Sequence, residues 1–354
     1  MTTVNEIKTV KRTFWGAAAF YFLIAFEFCY MASPFAIYFY SVYRPILNFF
    51  NDSPLLSGLI TYFMPHFTTT SSSLINAHNI VGGILAVLGF LGFCIGACQV
   101  YYHKLARKGA VTGGIYNFIR HPQYACFIIC SFGLLLLWPR YIVLIMFVTM
   151  LFAYYLLAKA EEKECEEKFG QSYIDYKNKT GMFFPVKLPK AAKLTAMPKS
   201  RRFALSFGIY LITLAVSVSI AIGLNNLTLD SLYTVYQDNS VNLSISAIEQ
   251  SKLERIINTA LSDKEVNARI EKTGVNPQTK FLNYVLPSDW YAAEIPMNGV
   301  LYRAGHRMPA DYDRNSYKII FTKADIRGNK EISSREILQN ITGREPIIEV
   351  WVNV

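Results

Sequence analysis

Residues 104–124 read KLARKGAVTGGIYNFIRHPQY, and they form the one long polar interruption between two strongly apolar blocks. The stretch holds a basic cluster, a Gly-Gly turn, and Arg120-His121-Pro122 with Tyr116 and Tyr124 close by. A glycine pair lets the backbone approach a ligand, because no Cβ stands in the way. Pro122 suits the first turn of a following helix, where its missing N–H costs nothing. The amides of that turn are then open to an anionic group. About forty residues further on, Glu161-Glu162 close the next apolar block.

Working outward, the flanking blocks have the length of membrane spans, which need about 20 apolar residues. The first runs from 14 to 43 with Pro34 as a kink inside it; it is too long for a signal-peptide core and reads as retained. The second covers 74–101 and carries Gly82, Gly83, Gly89, Gly92 and Gly96, small residues that allow close helix packing in lipid. A hairpin follows, with arms 122–137 and 141–160 around Trp138-Pro139-Arg140, its first arm short for a full crossing. The last span is 203–224, free of charge. Residues 44–73 read as a polar-aromatic loop. Glu27 is an ionisable group at membrane depth, a functional candidate that equally suits a polar cleft or a neighbour's hydroxyl.

Charge agrees with this layout. The chain has 354 residues, 52% hydrophobic, a mean hydropathy of +0.24 and a net charge of +10. Residues 1–224 carry 20 Lys+Arg against 9 Asp+Glu, whereas 225–354 carry 15 against 16. The basic charge therefore flanks apolar runs, which is the membrane pattern and not the basic stripe of a nucleic-acid binder. With the N-terminus, 102–121 and 159–202 on the cytoplasmic side, 18 of the 20 cations of the first half lie inside; only Arg44 and Arg140 lie outside. The expected protein is an α-helical integral membrane protein of about five spans, with a membrane domain at 1–224. A soluble α+β domain at 225–354 would sit on the periplasmic, lumenal or extracellular side. The Lys- and Pro-rich segment 185–202 reads either as a site for anionic lipid or as a topology-setting flank.

The six cysteines lie in or next to the apolar segments and read as small packing residues, with no metal site. In the second half, 248–270 has helical periodicity with Ser251 available as a cap, while 317–322 and 347–354 alternate as strands. Residues 325–336 resemble a calcium loop in spacing, yet Arg327 and Lys330 replace a ligand and the turn glycine. A strand–turn–helix capped by Ser333 is the better reading. Sequons occur at Asn226, Asn242 and Asn340.

Read as chemistry, Arg120, His121, two tyrosines and helix-start amides suit a carboxylate or phosphate. Glu161 and Glu162 accept hydrogen bonds from hydroxyls or an amine. Together they suit a zwitterionic cofactor from the cytosol, with the membrane supplying a lipophilic substrate. The sequence shows no Ser/His/Asp set, P-loop, HExxH or dinucleotide glycine fingerprint.

Residues 111–124, VTGGIYNFIRHPQY, then a short hairpin, Glu161-Glu162, and Phe169-Gly-x-x-Tyr173-x-x-Tyr176 resemble the isoprenylcysteine carboxyl methyltransferase family. Its wider clan includes phospholipid methyltransferases and sterol reductases. The resemblance covers about residues 75–187. It implies S-adenosyl-L-methionine as cofactor, contacted by the backbone of Lys108, Gly109, Ala110 and Val111, by Tyr116, by His121, Pro122, Gln123 and Tyr124, and by Glu161. Glu162 joins this set, and Arg120, His121 and Glu161 take the catalytic roles. It implies membrane lipids and a lipophilic methyl acceptor as partners. The family's substrate-facing Arg, one turn before the glutamate, falls here on Leu157, so carboxylate, amine and hydroxyl acceptors all stay open. The alternatives are a sterol-reductase-like NADPH enzyme and a non-catalytic membrane scaffold or sensor whose extra domain binds an unknown ligand or protein.

Overall fold

The structure, a computed structural model, describes residues 2–43, 50, 53, 56–186, 198–273, 278–293, 295–296, 306–326 and 332–354; of residues 2–14, 40–43 and 199 it describes the backbone alone. It divides into two compact units, one of residues 1–60 with 80–218, the other of 61–79 with 219–354. The expected loop at 44–73 is therefore split. Residues 61–79 belong with the C-terminal unit, where Thr69 N–H bonds to Ile245 O (3.0 Å) and Thr70 bridges to Leu232.

The long helices are α1 (Thr2–Tyr43), α2 (His78–Leu105), α3 (Pro122–Leu137), α4 (Tyr141–Phe169), α5 (Gln171–Lys179) and α6 (Lys199–Asp230). Among the described residues four stretches are long and apolar enough to cross a membrane: Trp15–Phe39, Ser73–Leu105, Tyr141–Phe169 and Ser200–Asp230. The expected fifth, α3, has 16 residues. At about 1.5 Å per residue it spans roughly 24 Å, short of a hydrocarbon core of about 30 Å. Pro34 lies within α1, which runs helical on both sides of it.

Glycine decides how α2 meets α3. A Cβ on Gly89 would run into the backbone of Cys130, and one on Gly133 into that of Ala86. The two helices touch backbone to backbone, as small residues permit in lipid. Aromatic rings fill the remaining space. Phe127 stacks on Phe93 (3.7 Å) and Phe35 (4.6 Å), and Tyr38 donates to Ser131 O (2.8 Å), which docks α1.

The second unit is a five-stranded sheet in the order β1 (Tyr233–Gln237), β2 (Ser240–Ser244), β3 (Lys280–Pro287), β4 (Ser316–Ile326) and β5 (Ile341–Asn353). Only β2 and β3 pair in parallel. That pairing requires a crossover, supplied by helices α7 (Gln250–Leu261) and α8 (Lys264–Lys272). The single helix expected over 248–270 is two, because Asp263 caps a new one by accepting from Glu265 N and Val266 N. The first is preceded by Glu249, not capped by Ser251. Leu253, Ile256, Ile257 and Ala260 pack on Val285, Ile319 and Phe321; Val241, Leu243, Leu282 and Ile320 form the opposite face with Trp290. Asn242 is fully buried and accepts from Asn283 Nδ2 (2.8 Å), so its sequon is closed to glycosylation. Glu336 is taken up by the backbone and hydroxyl of Ser333 in a capping box, and Asp325 lies in β4. The centre of the calcium-like loop, 327–331, lies outside the described residues, as does 187–197 of the Lys/Pro segment.

Candidate functional site

The site forms where α2, α3, α4 and α5 end or begin. After α2 the chain turns at Arg107, the one described non-glycine with positive φ (51°). Gly114 follows with φ 62° and opens a short 3-10 turn, Gly114–Asn117, which buries Tyr116. Pro122 then sits at the start of α3 with His121 as its cap residue. At the far side α4 ends at Gly170, also left-handed (φ 57°), and α5 carries Tyr173, Tyr176 and Lys177 back. Beyond α5 the backbone runs beside 119–121: Arg120 N–H bonds to Gly181 O (2.9 Å) and His121 N–H to Met182 O (3.1 Å). Tyr176 OH donates to Tyr116 O (2.7 Å).

Within this frame Arg120, His121, Tyr124, Glu161 and Glu162 come together, but with divided roles. Glu162 is buried and saturated. Its Oε1 takes Arg120 Nε at 2.6 Å, and its Oε2 takes Lys177 Nζ at 2.6 Å. Arg120 Nη1 donates to the carbonyls of Lys177 (3.0 Å) and Thr180. In this geometry Arg120 and Glu162 serve each other and the neighbouring backbone, and their expected roles, Arg120 in catalysis and Glu162 in cofactor binding, are proposals. Adjacent helical residues point about 100° apart, and Glu161 points the other way. It is 36% exposed, accepts a hydrogen bond from Tyr124 OH and has His121 Nδ1 at 3.5 Å.

His121 is the hinge between the two carboxylates. Its Nε2 stands 3.6 Å from Glu162 Oε1, buried and without a hydrogen-bond partner among the described residues. Burial depresses its basicity, yet the adjacent carboxylates of Glu161 and Glu162 outweigh that and hold it above its ordinary value of 6.5. Lys177 is raised in the same way, burial being overcome by Glu162 and Glu166. Burial pushes Tyr176 up to about 12, so it is neutral and free to donate.

The other expected residues are placed as follows. Pro122, Gln123 and Tyr124 are buried in the first turn of α3. Lys108 is exposed, its ammonium 4.7 Å from the Tyr102 ring, and the amides of Gly109, Ala110 and Val111 take no partner among the described residues. No hydrogen bond or ion pair among the described residues ties Lys108–Val111 to the Glu161 cluster. Leu157 is buried. An open apolar pocket of about 290 Å³ is lined by Gly92, Ile95, Ile115, Phe118, Ile119, Pro122, Cys126, Phe183 and Pro185; of these, Phe183 has its ring 6.0 Å from that of His121. Sequence reasoning missed Lys177 and the return strand at 180–182. The one local hint was the tyrosine pair three apart at 173 and 176, which marks the inward face of α5.

Residues 77–172 match the family model for phospholipid methyltransferase. Over this stretch the chain is similar to that family. It contains α2, the 106–121 connection, α3 and α4, and so every residue of the cluster except those of α5 beyond 172 and the return strand. The chain is also similar to protein-S-isoprenylcysteine O-methyltransferase of Saccharomyces cerevisiae, 36% identical over 76 residues. That alignment covers 21% of this chain and about a third (32%) of the yeast protein's length. No solved structure matches the chain. The family segment leaves residues 219–354, with the whole five-stranded sheet, outside its bounds.

Proposed function

We propose that the protein is an S-adenosyl-L-methionine-dependent methyltransferase acting on a lipophilic acceptor at the cytoplasmic face of a membrane. The observation that carries this reading is the Glu161 carboxylate, partly exposed and fixed by Tyr124 and His121.

The residues present fit the cofactor's chemistry. Its ammonium and ribose diol need acceptors, which Glu161 offers. Its carboxylate needs donors, and three unpartnered amides (109–111) and the first-turn amides of α3 are of that kind. His121 Nε2 is buried with Glu162 Oε1 at 3.6 Å and no hydrogen bond among the described residues, so a ligand acceptor could complete it. When bound, the cofactor supplies an electrophilic methyl group on a sulfonium. The chain's own part is positioning: Tyr124 and His121 orient Glu161, and the Arg120–Glu162–Lys177 set holds α4 against α5. Sulfonium methyl transfer is an in-line displacement, which asks for alignment more than for acid–base work.

The distribution of Lys and Arg supports an N-terminus in the cytoplasm and residues 225–354 on the opposite side. The test is calorimetric titration of the purified full chain with S-adenosylhomocysteine, with NADPH in parallel. Saturable binding of the former, lost in Glu161→Ala and His121→Ala while both variants stay folded, is expected. Binding of NADPH alone would overturn the reading in favour of a reductase.

A further inference from the structure

One face of α2 carries polar atoms that the Glu161 cluster does not use. Ile95, Gln99 and His103 are spaced four apart, with Gly96 three before Gln99, so all four share a side of the helix. The short turn at 114–117 lies against that side. A Cβ on Gly96 would stand 3.3 Å from Ile115 Cδ1, and Tyr116 OH donates to Gly96 O at 3.5 Å. A Cβ on Gly114 would stand 3.0 Å from Gln99 Oε1 and closer still to its Nε2. Gly114, left-handed at φ 62°, is thus the residue that leaves room for the Gln99 amide.

Two atoms on this side have nothing to bond. Gln99 Oε1 and His103 Nδ1, one helical turn apart, are both buried without a hydrogen-bond partner among the described residues. Such orphans are exceptions in folded proteins, because a buried acceptor left unmade loses the hydrogen bonds it had in water. The backbone folds back over this end, with Lys108 N–H donating to His103 O at 2.9 Å. One turn in the other direction the same side is apolar: Ile95 and Ile115 both line the open pocket of about 290 Å³.

A polar edge beside an apolar wall suits a flat group with apolar faces and an N–H at its rim. A carboxylate or phosphate brings acceptors alone, which Gln99 Oε1 repels. An aliphatic ammonium satisfies the oxygen but has no face to lay on Ile95 and Ile115. A side-chain amide instead matches the amino edge of adenine, where an N–H donor stands next to a ring nitrogen.

We propose that Gln99 reads the base of the nucleoside cofactor, its Oε1 accepting from the 6-amino group of adenine, with Ile95 and Ile115 as the apolar wall and His103 on the same polar edge. The inference rests on the methyltransferase reading, which assigns acceptors to the ammonium and ribose and none to the base.

The purified full chain in detergent is titrated by calorimetry with S-adenosylhomocysteine and with S-inosylhomocysteine, in which a ring carbonyl replaces the 6-amino group. Wild type is expected to bind the adenosyl compound about tenfold more tightly. Gln99→Met, similar in length but without the amide, brings the two compounds to equal affinity. Gln99→Glu keeps an acceptor and keeps the preference for the amine, which a variant damaged in folding would not do. Glu161→Gln weakens both compounds in parallel and leaves their ratio unchanged, because that carboxylate serves the part they share. Saturable binding of both compounds with equal affinity by wild type, or an undiminished preference in Gln99→Met, overturns the proposal and leaves the methyltransferase reading standing. A preference lost in Gln99→Glu as fully as in Gln99→Met also overturns it, reducing Gln99 to a packing residue. Binding of neither compound by wild type overturns the proposal and the methyltransferase reading together.

Discussion

Arg120 and Glu162, 42 positions apart in the chain, close a buried ion pair at 2.6 Å between Nε and Oε1. The pair joins the start of α3 to the end of α4, and through the carbonyls of Lys177 and Thr180 it also holds the return strand. Removing the guanidinium leaves Glu162 buried with Lys177 as its remaining strong partner. Breaking one side of a buried pair costs about 3–5 kcal/mol. Arg120→Met is therefore expected to lower the thermal midpoint of the membrane unit by many degrees. Arg120→Lys should not restore it, because an ammonium cannot reproduce the guanidinium fork. A midpoint unchanged in Arg120→Met would show that the pair does not hold these elements together.

His121 gives the site a pH dependence whose sign is fixed. Its folded pKa lies above 6.5 because Glu161 and Glu162 favour the charged form more than burial disfavours it. The resulting stability is fully present below pH 6.5 and is lost as pH rises through the raised folded value. Between pH 6 and pH 9 the wild type should therefore lose more thermal stability than His121→Gln, which has nothing to titrate there. Parallel loss in both proteins would remove His121 as the source.

What the sequence disclosed and what it hid follow one physical divide. Local signals were readable: Pro122 as a helix start, the glycines of α2 as a packing face, Ser333 as a cap. So was the grouping of the 120–124 turn with the 161–162 pair, since the hairpin length brings its two ends together. The different fates of Glu161 and Glu162 were not readable. Which of two neighbouring carboxylates is buried depends on Lys177 and on the strand at 180–182, contacts made only when α5 folds back. The break between α7 and α8 was hidden for a smaller reason: apolar periodicity continues across Ser262-Asp263, and only the Asp263 cap reveals the stop.

Gly89 tests the contact between α2 and α3. An added methyl would strike the Cys130 backbone, which cannot rotate away as a side chain can. Overpacking of this kind costs about 1–3 kcal/mol, partly offset by the better helix propensity of alanine. Gly89→Ala should destabilise the membrane unit, while Gly83→Ala, whose Cβ would meet nothing within 4 Å, should be neutral or mildly stabilising. Equal midpoints for the two variants would refute this packing.

Tyr124 and Glu161 provide the sharpest test of the proposed cofactor site. The tyrosine ring is buried between Tyr154, at 4.7 Å, and His121, at 5.6 Å, so Tyr124→Phe keeps the stack and removes only the hydroxyl. The hydroxyl donates to Glu161. Hydrogen bonds to charged groups contribute about 1.5–3 kcal/mol, and Glu161, being partly exposed, belongs at the low end. Tyr124→Phe should therefore weaken S-adenosylhomocysteine roughly tenfold. Glu161→Gln, which removes the charge, should weaken it further. If Tyr124 works by orienting Glu161, the two losses are not additive: in the Glu161→Gln background, Tyr124→Phe should have little further effect. Full additivity would mean that Tyr124 acts on the ligand independently of the carboxylate it touches.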